Sequence, residues 1–386
     1  MTPNAVARTT FRAQTLAVAA AFLLNGLSFG IWAARIVAIK TQTGLDDASF
    51  GFALLGASVG AVATMAVGGW LGTRLGTHVM TPLALAGMAA MLPFMGGAWN
   101  YPSLTLSLLI FGMCQGTMDV SMNANAVAVE HASGTRIMSK MHGSWSVGSF
   151  VGAFISTRVA AAGIPPFPEF TTEAVGLLVA ALILRAAMLP DRHAEPGGLR
   201  RPSGPLVLLG VLGLVGLLTE GSASDWSGIY MQRSLGAAEG TAGLAVTAFA
   251  GSMAAARFAG DRLNVILGGA RLVGGGALLS AFGLGLALFS GQVAVAIVGF
   301  GLMGAGLAAV VPTIFRAAGS QPGIPASAGI AAVSTVGYAG GLLGPAIIGS
   351  LAQATSLRTA LGFVLAMLIV LSVAGSVALR TPRAHR

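Results

Sequence analysis

The chain is a succession of long apolar runs separated by short polar joints, and the length of the runs decides what they are. A helix needs about 20 apolar residues to cross a bilayer's hydrocarbon layer. The first run, roughly 13–34, follows Arg8 and Arg12 and is too long for a signal-peptide core, so it reads as a retained helix. Further runs lie at roughly 49–72, 79–98, 103–129, 142–162 and 172–189. A polar gap from Pro190 to Pro205 then holds Arg192, Arg200 and Arg201. Six more runs follow at roughly 206–230, 240–258, 270–290, 292–315, 326–352 and 357–379. The pattern predicts an all-α polytopic membrane protein with 12 transmembrane helices in two six-helix bundles, 1–189 and 206–386, joined by a central loop at 190–205.

The polar positions inside these runs are few and patterned. The fourth run carries Gln115, Asp119 and Asn123 four apart, one stripe on one helix face. An ionisable group at that depth costs at least about 2.5 kcal/mol on insertion scales, so it must face protein or a water-filled cavity. Asn25, Ser28, Trp32 and Arg35 share a face of the first run. In the seventh, Glu220, Ser224 and Ser227 share a face with Asp225 beside it. Gly26/Gly30, Gly56/Gly60, Gly68/Gly72, Gly112/Gly116, Gly148/Gly152 and Gly340/Gly344 are small residues four apart, the spacing that lets membrane helices touch closely. Pro345 predicts a kink near Gly344.

Composition agrees with the pattern. Charged residues make up 9% of the chain and hydrophobic ones 55%, where a soluble domain carries roughly 25% charge. Mean hydropathy is +0.83. The net charge of +9 is scattered through short joints without a basic, aromatic-laced run, which excludes nucleic acid as the expected partner. The single cysteine, Cys114, excludes an intrachain disulfide and a cysteine-held metal cluster, and it reads as a small core residue. With both termini on the cytoplasmic side, the inner joints gather Arg8, Arg12, Arg74, Arg136, Lys140 and the arginines of the central gap and C-terminus. The outer joints hold only Arg35, Lys40, Arg158, Arg233 and Arg358, and the positive-inside rule sets the orientation. The expected location is therefore an inner or plasma membrane.

Two motifs mislead. Gly56-Ala-Ser58-Val-Gly60 matches a serine-hydrolase elbow, and Gly299-Phe-Gly301-Leu-Met-Gly304 matches a dinucleotide fingerprint. Both lie in apolar spans without the strand–turn–helix setting those sites need. No phosphate loop is present, so an ion gradient rather than ATP is the expected energy source, and neither an enzyme nor a cofactor is expected.

The two halves echo each other. Gly69-Trp-Leu-Gly-Thr-Arg74-Leu-Gly76-Thr-His78 follows the second run, and Arg257-Phe-Ala-Gly-Asp261-Arg262-Leu263 follows the eighth. Asn25-Gly26 is echoed by Glu220-Gly221, and Gly148/Gly152 by Gly340/Gly344. Repeated halves are how many secondary transporters are built.

With these residues in view, the whole chain resembles the major facilitator superfamily. Gly69, Leu71, Arg74 and Gly76 match its loop signature, with Thr73 in place of the acid and Thr77 and His78 in place of the basic pair. The second copy keeps Asp261 and Arg262. Met118-Asp-Val-Ser-Met-Asn123-Ala-Asn125 through Glu130, His142-Gly-Ser-Trp145-Ser-Val-Gly148 and Glu220-Gly-Ser-Ala-Ser-Asp225-Trp226 resemble the YbjJ-like branch, near the fucose permeases. The resemblance implies alternating access around a midplane site lined by helices one, four, seven and ten, and monomers. Fucose permease relatives are proton-coupled sugar symporters with acids in helices one and four. Here helix one has Asn25, so a proton-carrying role carries over only to Asp119. Ala153 after Gly152 departs from the antiporter signature, which weighs against a proton–drug antiporter.

The resulting expectation is a secondary transporter of a small solute, with protons as coupling ion and the lipid bilayer as its surroundings. Asp119 and Glu220 are the candidate proton carriers, since a solute that binds only the protonated site couples the two fluxes. Asn25, Ser28, Trp32, Gln115, Asn123 and Ser224 are the candidate substrate contacts, against the plainer reading that such groups join helices. Arg35 with Asp225 is a candidate outer gate, and Arg74, Asp261 and Arg262 an inner one. His142, Trp145 and Glu130 are further candidates near the loop after the fourth run. Proton symport of a polar solute such as a sugar, proton-driven export of metabolites or hydrophobic compounds, and a non-transporting membrane protein all remain open.

Overall fold

A computed structural model describes residues 3–135, 137–190, 204–321, 324 and 326–379, and among them every regular element is a helix. The chain divides into two compact units, Met1–Pro196 and Gly197–Arg386. Most of the central loop expected at 190–205, with Arg192, Arg200 and Arg201, lies outside the described residues, as does Arg136.

The first unit contains α1 (Pro3–Thr43), α2 (Asp47–Leu75), α3 (Thr77–Gly96), α4 (Tyr101–Ser133), α5 (Met138–Ala161) and α6 (Pro166–Ala187). The second contains α7 (Pro205–Leu235), α8 (Glu239–Leu267), α9 (Gly269–Phe289), α10 (Val293–Leu307), α11 (Val310–Gly319), α12 (Ala326–Ala354) and α13 (Leu357–Ala378). Within the first, α1 packs on α5, α2 and α3 on α4, and α3 on α6. Within the second, α7 packs on α12, α8 and α9 on α10, and α9 on α13. The pairings repeat in order, once α10 and α11 are counted as one span. The joints repeat too. Gly76 ends α2 and starts α3 at φ 87°, ψ 142°, and Gly268 ends α8 and starts α9 at φ 74°, ψ 157°. Side chains other than glycine's are strained there, so the joint after the second span is glycine in both halves.

Eleven stretches among the described residues are long and apolar enough to cross a membrane, and α10 with α11 forms one of them, Val293–Gly319. The twelfth span is α5, which is long enough but carries Lys140, His142, Arg158 and several hydroxyls. Ser146, Ser149, Ser156 and Thr157 of α5 are buried, so it takes its place by packing on α1 rather than by hydropathy. The outer faces are apolar, as lipid requires: Phe154, Leu182, Phe282, Phe289 and Val370 are all exposed.

The α1–α5 and α2–α4 contacts depend on small residues. A Cβ added to Gly26 or Gly30 would fall onto the carbonyl oxygen of Trp145 or Ser149, and one on Gly148 onto that of Leu23. Gly112 and Gly116 meet the carbonyls of Ala57 and Ala61 in the same way. Gly72 and Gly344 make no such approach, so those two expected pairs contribute through Gly68 and Gly340 only.

Several boundaries differ from the sequence reading. The tenth span, expected unbroken at 292–315, is interrupted at Ala308–Ala309. Pro312 follows four residues after Ala308 and has no N–H for its carbonyl, which ends the α10 ladder there. α8 runs nine residues past its expected end, to Leu267 rather than 258. Asp261 and Arg262 therefore sit in a helix and not in a loop, as does Arg74 in the last turn of α2. α6 begins at Pro166 rather than 172, which brings Glu169 into its first turn. α12 continues through Pro345.

Candidate functional site

The stripe on α4 divides between two kinds of contact. Asn25 on α1 and Gln115 on α4 exchange hydrogen bonds: Asn25 Nδ2 donates to Gln115 Oε1 at 3.3 Å, and Gln115 Nε2 donates to Asn25 Oδ1 at 3.1 Å. Trp145 of α5 adds its indole N–H to the same Asn25 oxygen at 2.7 Å. Three helices thus meet at Asn25, which is 0% exposed. Asn25, a candidate substrate contact, thus makes three hydrogen bonds to protein side chains and through them sets the position of Gln115 and Trp145. Trp145 is half-buried and its ring lies 5.6 Å from that of Phe29.

Asp119 and Asn123 belong to each other. The Asn123 amide donates to the backbone oxygen of Asp119 at 2.8 Å and to its carboxylate Oδ1 at 3.3 Å. Among the described residues no lysine or arginine pairs with Asp119. Deeper along α4, Asn125 is buried and donates to Thr77 Oγ1 and to the Leu189 carbonyl, both at 2.9 Å, tying the start of α3 to the end of α6. Glu130 near the end of α4 accepts from the backbone N–H of Ile137 at 2.5 Å and of Met138 at 3.0 Å. It caps the start of α5 and so fixes the connecting loop. His142, one turn into α5, sets its ring edge-on to Phe22 at 5.4 Å.

Ser28 and Trp32 are buried in α1, and Ser28 returns its hydroxyl to the Leu24 carbonyl at 3.0 Å. Ser224 does the same to Glu220 O at 3.2 Å. Such back-bonding to the preceding turn satisfies a hydroxyl within its own helix.

In the second unit, Glu220 Oε1 of α7 lies 3.3 Å from Arg257 Nη2 of α8, and each side chain is about one-fifth exposed (20% and 21%). Arg257 opens the motif after the eighth run, and the length of α8 makes it Glu220's partner. Asp225 has no ion pair among the described residues. Arg262 and Arg74 are exposed, and the side chain of Asp261 lies outside the described residues.

Arg35 makes an ion pair within the first unit. Arg35 Nε lies 3.1 Å from Glu169 Oε2, with the two side chains 1% and 2% exposed. Arg35 Nη2 also donates to the Ile164 carbonyl at 2.5 Å, and Ser156 of α5 donates to Glu169 Oε1 at 2.5 Å. Sequence reasoning missed Glu169 because it placed the start of α6 too late. The signal was present: Pro166 at the first helical position and an acid in the first turn mark a helix start.

No protein-family profile matches the chain. Among curated proteins it is 36% identical to an uncharacterised MFS-type transporter of Yersinia pestis, across 94% of each chain. It is 34% identical to an uncharacterised transporter of Sinorhizobium fredii, across 88% of this chain and 92% of that one. It is also 31% identical to membrane protein MosC of Rhizobium meliloti, across 93% and 88%. Among solved structures it superposes on the nucleoside transporter NupG with a TM-score of 0.74 at 12% identity, covering 96% of this chain and 100% of that one. A bacterial homologue of the human lysosomal transporter Spinster, inward-facing and occupied, gives 0.73 at 14%, covering 95% and 96%.

Proposed function

Because the chain belongs to the major facilitator family of its MFS-type relatives, we propose that it moves a small polar solute across an inner membrane by alternating access, driven by proton symport. The coarser function, membrane transport, is common to its relatives and structural neighbours. The finer reading rests on one observation: Asp119 stands in a membrane helix with an amide as its partner and, among the described residues, no cation. A carboxylate in that setting is costly unless it is neutralised or meets water. Taking up a proton neutralises it, and a solute that binds the neutral form is then carried together with the proton.

In this reading Asp119 carries the proton and Asn123 orients it. Gln115 and Trp145, positioned by Asn25, offer amide and indole surfaces to the solute. Glu220 is the second coupling carboxylate, held by Arg257 in the state seen here, so its protonation or its engagement by solute releases that arginine. The reading takes the chain as a monomer of the YbjJ-like branch, near the fucose permeases, with both termini cytoplasmic, and it is supported by the stretches around Asp119, Trp145 and Glu220 that resemble that branch.

A second reading, proton-driven export of less polar compounds, is favoured by the burial of Asn25, Ser28 and Trp32, which removes expected polar and stacking contacts from the solute. Uphill uptake and counterflow exchange in proteoliposomes separate the parts of the proposal. Asp119→Asn abolishes accumulation against a gradient and preserves exchange. Accumulation that persists in Asp119→Asn refutes the coupling role.

A further inference from the structure

The end of the first unit where α1, α5 and α6 meet holds a charged group that the transport reading does not use. Arg35 and Glu169 form a deeply buried ion pair there, supported by Ser156 and by the Ile164 carbonyl. Glu173 lies four residues after Glu169 on α6, hence on the same face and one turn along. Its carboxylate Oε2 is buried and has no hydrogen-bond partner among the described residues. Glu169, and through it Arg35, is the charged group placed one turn earlier on that face.

Among the described residues, no ion pair joins Glu173 to a neighbouring helix. α3 carries one titratable side chain, His78, in the first turn at its other end. α5 brings Arg158, which is exposed, and α1 brings Lys40, which pairs with Asp47 at 3.1 Å. Arg185 of α6 sits in its last turn, far from Glu173 along the helix. The buried Arg35 guanidinium is engaged by Glu169, one turn from the unpartnered Glu173 carboxylate. Two carboxylates sharing a single counterion in such surroundings do not both ionise.

We infer that Glu173 is a proton-binding site, built by the Arg35–Glu169 pair and separate from Asp119. The bound proton leaves Arg35 committed to Glu169 and so keeps the end of α1 fastened to the α5–α6 turn. Loss of the proton creates a second carboxylate that competes with Glu169 for Arg35 and loosens that fastening. The inference does not depend on what is transported or on proton coupling at Asp119.

Infrared difference spectroscopy of the purified full chain between acid and alkaline buffer tests it, read at the carbonyl stretch of protonated carboxyl groups. One carboxyl signal disappears in Glu173→Gln and stays in Asp119→Asn. The same signal is lost in Glu169→Gln, although Glu173 is still present, because Arg35 then passes to Glu173 and ionises it. Both substitutions keep side-chain size and hydrogen-bonding capacity, and an unchanged amide band confirms folding. A spectrum in which Glu173→Gln removes no carboxyl signal, or in which Glu169→Gln leaves that signal untouched, overturns the inference.

Discussion

Asn25 and Gln115 are 90 positions apart and bind each other through both ends of their amides, at 3.1 and 3.3 Å. A reciprocal pair of this kind fixes the register of α1 against α4, and the Trp145 indole on the same oxygen extends it to α5. Removing one partner leaves buried polar groups unsatisfied, a penalty of about 1–3 kcal/mol. Asn25→Ala is therefore expected to lower the unfolding temperature in detergent more than Gln115→Ala, since Asn25 serves two partners. Equal and negligible shifts would count against the clamp.

Each side chain of the Glu220–Arg257 pair is about one-fifth exposed, 20% and 21%. Pairs that water reaches are worth about 0–1 kcal/mol, so its expected contribution is to conformation more than to stability. Glu220→Gln and Arg257→Gln each impair uphill transport, while the double substitution recovers part of the loss because no charge is left uncompensated. A double-mutant cycle on transport rate checks this. Strictly additive losses mean that the two residues act separately.

Helix contact at Gly112 and Gly148 leaves no room for a side chain, because the obstacle is a neighbouring backbone carbonyl and not a mobile side chain. Overpacking typically costs about 1–3 kcal/mol, and here the helix itself must move. Gly112→Val and Gly148→Val are expected to cut the yield of monodisperse protein on size exclusion, while Gly176→Ala and Gly275→Ala, with open space at the Cβ position, leave it unchanged.

Asp46 caps α2 by accepting from the Ser49 N–H at 2.7 Å, and that backbone bond holds its carboxyl below the ordinary aspartate value of 3.8. A depressed carboxyl stabilises the folded state above its unfolded value and loses that contribution as pH falls through the folded one. Protection of the first-turn amides of α2, taken as the exchange rate relative to Asp46→Ala at the same pH, is thus expected to fall on acidification below the ordinary aspartate range. If the wild type shows no acceleration relative to the variant, the cap is not made.

Much of the fold was legible because membrane spans are specified by length and hydropathy, which are local properties. The twelve runs, the paired halves and the glycines of α1, α2, α4 and α5 follow from them. What was not legible depends on where helices continue past their apolar stretch. Arg257 belongs to the motif after the eighth run and Glu169 falls in the gap between the runs expected at 142–162 and 172–189, yet helix geometry carries both inward to partners on another helix. The break at Ala308–Ala309 needed attention to Pro312, whose effect falls four residues upstream. At the site, periodicity identified the stripe of Gln115, Asp119 and Asn123 but not its division, because only packing shows that Gln115 turns to Asn25 while Asp119 keeps to its own helix.

The central claim, proton symport through Asp119, is tested most directly by internal pH. Proteoliposomes loaded with a pH-sensitive dye are challenged from outside with a panel of sugars and polyols. The proposal predicts that at least one solute acidifies the lumen and that Asp119→Asn, reconstituted equally, abolishes the acidification. Acidification that Asp119→Asn leaves intact would contradict the role given to this carboxyl. A lumen that stays unchanged across the panel, while hydrophobic cations discharge an imposed proton gradient, would contradict symport of a polar solute and establish export.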